Sequence, residues 1–128
     1  MKASILIPAY NAAEFIGETL ASCVQQGLDC IEEIIVINDQ SEDDTRKVVE
    51  RFQAEYAHYR VILEDSPIKG ACAARNHALS LAKGDAIQWL DADDLLGEGK
   101  LEAQLELLNQ NPQHLIASKW RRFAGDLT

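Results

Sequence analysis

Four short apolar runs, each followed by a longer stretch with helical spacing, constrain this chain more than any other feature. The runs are ASILIP (3–8), EEIIVIND (32–39), RVILED (60–65) and DAIQWLDAD (85–93). Near-continuous apolarity, as opposed to strict alternation, marks strands that are covered on both faces. Between the runs, NAAEFIGETLASCVQQG sets Ile16, Leu20, Cys23 and Val24 on one helical face, and SEDDTRKVVERFQAEY does the same with Val48, Val49, Phe52 and Tyr56. In the second of these, Ser41 is the expected N-cap, with acidic residues in the first turn. GACAARNHALSLAKG (70–84) carries Ala71, Ala74, Ala78 and Ala82, small enough for close approach to a sheet. EGKLEAQLELLNQN turns Leu101, Leu105 and Leu108 inward and ends before Pro112. HLIASKW reads as the start of a fifth strand, and Trp89 as a core residue.

Strands alternating with helices form right-handed βαβ units and a mostly parallel sheet. The expected fold is therefore α/β: a three-layer α/β/α arrangement around a mostly parallel central sheet, with residues 1–128 as one domain. At 128 residues the chain is long enough to bury about two thirds of its unfolded surface. Its 47% hydrophobic and 26% charged content is that of a folded globular chain and not a disordered one.

A formal charge of −9 argues against general nucleic-acid binding, which needs a basic surface. It leaves room for an anionic ligand held locally by a metal ion and helix N-termini. No apolar run reaches the roughly 20 residues of a membrane span, and MKASILIPAY is too short and too soon broken by Pro8 to be a signal peptide. Cys23, Cys30 and Cys72 are odd in number and lack metal-site spacing, so they read as free thiols in a reducing cytosol.

In open parallel sheets, ligands bind beyond the carboxyl ends of the strands. Tyr10 and Asn11, Asn38 and Asp39, Asp65 and Ser66, and Asp91 to Asp94 all follow such ends. In an extended segment, residues two apart point the same way, so Asp91 and Asp93 converge, with Ala92 small enough to admit a ligand. Hard cations such as Mn²⁺ or Mg²⁺ suit that pair, with substrate phosphates completing the shell. The alternative is that Asp93 or Asp94 caps a helix near Leu95–Lys100 and Asp91 is a turn residue. Asp39 fits hydrogen bonding to a nucleobase or ribose, or equally an Asx-turn opening the next helix. Gly70 opens a helix whose first N–H groups form an anion site, and Arg75 lies one turn in. Arg75 also suits a surface ion pair. Tyr10 fits stacking on a planar base, or the edge of the core. His58, His77 and His114 are dispersed and read as structural or solvent-facing.

Taken together, SILIPAYNAAEFIGETLASCVQQ, EIIVINDQSEDDT and GACAARNHALSLAKGDAIQWLDADD, in this order, resemble the nucleotide-sugar-binding half of a family 2 glycosyltransferase with the GT-A fold. The resemblance runs from about Ala3 to Pro112. It implies that Asp39 bonds the base, that Pro8, Ala9 and Tyr10 line the base and ribose pocket, and that Arg75 lies near the diphosphate. It implies Asp93 as the direct ligand of Mn²⁺ or Mg²⁺, with Asp91 towards ribose or metal-bound water. The chain departs from the family pattern where Asn38-Asp39-Gln40-Ser41 replaces Asp-Asp-Gly-Ser. Asn38 keeps hydrogen bonding without the charge, and Gln40 loses the conformational freedom of glycine.

The function so implied is binding of a nucleotide-diphosphate sugar, UDP-sugar favoured, through a divalent metal, for inverting transfer to an acceptor hydroxyl of a saccharide or lipid-linked glycan. Inversion needs a general base opposite the leaving diphosphate. No Asp or Glu after Asp94 is convincing in that role, Asp126 included, so the base is expected beyond Thr128 and the chain is expected to be a donor-half fragment. Exposed apolar surface facing an acceptor half would favour self-association. The expected location is cytoplasmic, at the inner face of the membrane in the full-length protein. The rival readings are a non-catalytic nucleotide-binding or regulatory module, a receiver-like domain, which lacks its carboxylate pair at Pro8-Ala9-Tyr10, and a nucleotidyltransferase, which lacks a Gly-rich, Lys-bearing first loop.

Overall fold

A computed structural model describes residues 1–112 of the chain. Strand β1 (Ala3–Ala9) leads to helix α1 (Ile16–Val24) and, after a 3₁₀ turn at Leu28–Cys30, to β2 (Ile31–Asn38). Helix α2 (Thr45–Glu55), β3 (Val61–Asp65), α3 (Ala71–Leu81), β4 (Ala86–Trp89) and α4 (Lys100–Gln110) follow. The described strands form one sheet in the order β3-β2-β1-β4. Every pairing is parallel, with Ala9 beside Asn38, Asn38 beside Asp65 and Leu6 beside Trp89. The expected fifth strand at HLIASKW lies outside the described residues.

Alternation along the two central strands divides the core. Ile5 and Ile7 of β1 and Ile34 and Val36 of β2 face Ile16, Leu20, Val49, Phe52, Leu101 and Leu105. On the other face, Leu6, Ile35 and Ile37 meet Ala74 and Ala78 of α3. The two clusters make the three layers expected from near-continuous apolar strands, because both faces of the central strands β1 and β2 are covered. Of the four small residues expected to approach the sheet, Ala74 and Ala78 are fully buried and Ala82 is half-buried, whereas Ala71, in the first turn of α3, is exposed. Cys23 and Cys30 are buried, Cys72 is exposed, and all three are free thiols. Burial pushes the Cys23 thiol up to about 12 and raises that of Cys30.

Three local expectations need correction. Ser41 does not cap α2: the helix begins at Thr45 with no acidic residue in its first turn. The Ser41 hydroxyl instead accepts the Asn11 N–H at 2.9 Å, while Asp43 accepts the Thr45 N–H at 3.0 Å. Trp89 is not a core residue; it is 42% exposed, next to the exposed Ile87 on the same strand. Its partner Leu6 places it on the α3 face, but α3 packs over β1 and β2 and leaves β4 at the edge. Finally, β4 stops at Trp89, so Asp91–Asp93 are not extended.

Candidate functional site

The chain runs β1, β2, β3 outward in one direction and then returns to the other side of β1 for β4. This reversal between β1 and β4 is a topological switch point, where loops splay apart and a ligand can enter. The loop after β1 and the acidic turn after β4 flank it.

Pro8 and Ala9 are the last residues of β1, beside Ile37 and Asn38. Pro8 lies past Leu6, the last described partner in register with β4, so its missing N–H breaks no ladder bond there. Tyr10 follows, half exposed, and the Lys69 ammonium rests 4.6 Å from the centre of its ring. Asn11 has a φ of 47° and Gln40 a φ of 55°, left-handed values that L residues adopt at a cost. The strain is held by reciprocal bonds between the loops: besides the Ser41 contact, Asn11 Oδ1 accepts the Glu42 N–H at 2.8 Å.

Asp39 is buried. Its N–H donates to the Ala9 carbonyl at 2.7 Å, and its Oδ1 accepts the Gly70 N–H at 2.9 Å. One residue thus ties the carboxyl ends of β1 and β2 to the start of α3. The turn-forming role falls to Asn38, whose Oδ1 accepts the Ser41 N–H at 3.1 Å and whose Nδ2 donates to Asp65. Arg75 is exposed on α3 and, among the described residues, joins no ion pair or hydrogen bond. Arg46, by contrast, is bound to Asp65, and His77 to Glu64 at 2.8 Å.

After β4, the Asp94 N–H bonds the Asp91 carbonyl at 3.0 Å and closes a turn. The turn, and not strand alternation, brings Asp91, Asp93 and Asp94 together, with one carboxylate oxygen of each within 4.8 Å of the others. The alternative use of Asp93 or Asp94 as a helix cap is not seen, because α4 starts only at Lys100, after Gly99. Asp94 was the member of this cluster that the spacing argument missed. Its carboxyl is raised above the ordinary range by burial and then by the charges of Asp93 and Asp91, with Lys100 opposing. Lys69 was missed as well, although it directly precedes the glycine that opens α3.

The acidic turn is fastened to α1 by polar residues at helical spacing. Thr19 Oγ1 donates to the Ala92 carbonyl at 2.9 Å, Ser22 Oγ accepts the Leu96 N–H at 3.0 Å, and Gln26 bonds both Gly97 and Leu101 at 3.0 Å. Two oxygens on opposite sides of one Mg²⁺ stand about 4.2 Å apart. A set of three acidic oxygens within 4.8 Å therefore fits a hard cation with only a small adjustment.

A parallel sheet in the order β3-β2-β1-β4 with a polar carboxyl rim is that of a doubly wound α/β fold, and likeness to solved transferases makes it the GT-A type. The mannosyltransferase PcManGT from Pyrobaculum calidifontis, solved with GDP-Man and Mn²⁺, is similar to this chain at a TM-score of 0.76 and 28% identity, over 84% of this chain and 32% of that one. The chain belongs to glycosyl transferase family 2, whose family model matches residues 4–128. Among its relatives, a poly(ribitol-phosphate) beta-glucosyltransferase of Bacillus spizizenii is 32% identical over 126 residues, 98% of this chain and 20% of that protein. The UDP-Glc:alpha-D-GlcNAc-diphosphoundecaprenol beta-1,3-glucosyltransferase WfgD of Escherichia coli is 37% identical over 109 residues, 84% of this chain and 41% of that protein. The chain thus spans less than half the length of these relatives.

Proposed function

We propose that this chain is the donor-binding part of an inverting glycosyltransferase that takes a nucleotide-diphosphate sugar, with a UDP-sugar favoured. The observation that carries the reading is the turn that gathers Asp91, Asp93 and Asp94 at the switch point of the sheet. In this reading Asp39 hydrogen-bonds the base, Pro8, Ala9 and Tyr10 line its pocket, and Arg75 faces the diphosphate. Arg75 suits that role because it is exposed and has no acidic partner among the described residues. Asp93 and Asp91, joined by Asp94, would hold Mn²⁺ or Mg²⁺. Such an ion, when bound, supplies positive charge to the diphosphate as its bond to the sugar breaks.

The UDP preference is supported by the donor named for the Escherichia coli relative, and a manganese ion by the complex of the Pyrobaculum neighbour. We assign acceptor activation to the part of the longer relatives that this chain does not cover. The acceptor proposed is a saccharide or lipid-linked glycan of cell-surface polymer synthesis, reached at the cytoplasmic face of the membrane. Among the described residues, no helix is long and apolar enough to cross a membrane.

Calorimetric titration of UDP with Mn²⁺, repeated after chelation and with Asp93→Ala, tests the reading. Metal-dependent binding that the substitution abolishes is expected. Binding that is indifferent to both metal and Asp93 would refute the metal-bridged donor site.

A further inference from the structure

Lys69 stands within the donor site as read above, and that reading gives it no role. Its ammonium lies 4.6 Å from the centre of the Tyr10 ring. The chain has 21 acidic residues against 12 Lys and Arg, yet among the described residues Lys69 joins no ion pair. Arg46, another cation close to this rim, is committed to Asp65, and Arg75 already has a role in the donor reading. The backbone next to Lys69 is anchored: Gly70, at a φ of 132°, gives its N–H to the buried carboxylate of Asp39. A fixed stem base therefore carries a loosely held charged head between the tyrosine and the start of α3.

Two competing interactions decide where that head goes. An exposed ammonium on an aromatic face gains about two- to fivefold in an equilibrium constant. A charge-assisted hydrogen bond to a phosphate oxygen gains about tenfold or more. While the ammonium stays, the ring face it covers is closed to a planar base. We propose that Lys69 discriminates nucleoside diphosphates from nucleosides: its ammonium leaves Tyr10 for a phosphate oxygen as the diphosphate binds, and so opens the ring to the base. The inference rests on the donor reading. In it, phosphate capture and base stacking are one exchange, and a ligand without phosphate must displace the lysine with nothing to receive it.

Calorimetry with uridine and UDP, both with Mn²⁺, on the 128-residue chain and on Lys69→Met and Lys69→Arg, tests this exchange. Lys69→Met keeps the stem and removes the charge. Its UDP affinity should fall about tenfold, while its uridine affinity should hold or rise by about two- to fivefold. Lys69→Arg should retain the UDP preference. In the wild-type protein, NMR should show the Lys69 Hε protons shifted upfield by the ring, and the shift should vanish when UDP saturates the site. Equal changes for uridine and UDP, or Hε resonances that do not move at saturation, would overturn the exchange. Wild-type protein that binds neither ligand would overturn the donor reading, and the inference with it. Wild-type binding of UDP that Lys69→Met leaves intact would overturn the inference alone. The NMR measurement needs no variant and decides the matter even where Lys69→Met fails to fold.

Discussion

Replacing Asp94 with asparagine should stabilise the metal-free protein and remove its response to metal. The carboxylate oxygens of Asp91, Asp93 and Asp94 lie within 4.8 Å of one another. In a water-like dielectric, two unit charges at that separation repel by about 0.9 kcal/mol. Salt at about 0.1 M, with a screening length near 10 Å, reduces this by somewhat under half. Asp94→Asn deletes two of the three repulsions, a gain of about 1–2 kcal/mol at low ionic strength and about 1 kcal/mol in physiological salt. For a chain of this length that is a rise in Tm of about 3–8 °C. The pH sign follows from the raised Asp94 carboxyl. The stability its protonated form confers is fully present below the ordinary 3.8 and is lost as pH rises through the raised folded value. Variant and wild type should therefore coincide in acid and diverge as pH increases, with the variant the more stable. Scanning calorimetry in EDTA and then in Mn²⁺ is the assay. Mn²⁺ should raise the wild-type Tm and leave that of Asp94→Asn almost unmoved. A variant less stable than wild type in EDTA, or an equal response of both to Mn²⁺, would refute the reasoning.

Gly84 offers a prediction about the opposite end of the sheet. A Cβ there would stand 2.6 Å from the Ser4 nitrogen and 2.9 Å from the Ala3 carbonyl carbon, both backbone atoms of central strand β1. Overpacking, together with loss of the 2.8 Å bond from the Gly84 N–H to Ser4 Oγ, should cost Gly84→Ala about 2–4 kcal/mol. A urea midpoint within error of wild type would show that β1 yields. Gln40→Gly should act the other way: releasing a left-handed glutamine gains about 1–2 kcal/mol, and the added freedom of the unfolded chain takes back about 0.5–1 kcal/mol. A net gain of about 0.5–1 kcal/mol in denaturant titration is expected, and a net loss would mean that the Gln40 side chain contributes to the folded rim.

The sheet was legible because apolarity along β1 and β2 is nearly unbroken, and that pattern fits only strands covered on both sides. The boundaries of β1, β2 and β3 fall within one residue of those read from the sequence. Loop chemistry was less legible, because its partners come from elsewhere in the chain. Ser41 has the composition of a cap but is taken by Asn11, 30 residues away, so α2 begins late. The convergence of Asp91 and Asp93 was anticipated for the wrong reason: a turn, not a strand, produces it, and only a turn can add Asp94. Trp89 failed as a core residue because hydrophobicity does not report which strand sits at an edge. Lys69 carried no signal of its own, since its contact with Tyr10 joins loops 59 positions apart and follows from the β3-β2-β1 order.

The bonds from Thr19, Ser22 and Gln26 have a consequence for how this site can vary. Helix α1 follows directly from the Tyr10 loop at one end and grips the acidic turn along its side. The two ends of a bound ligand are therefore gauged against the same rod, and the span between them is set by helix geometry instead of by loop length. Substitutions at the exposed Glu98 can accumulate without altering that span, whereas Gly99, at a φ of 69°, must stay glycine-like to open α4. A change at Thr19 would shift the register of the whole acidic turn while leaving each carboxylate chemically intact.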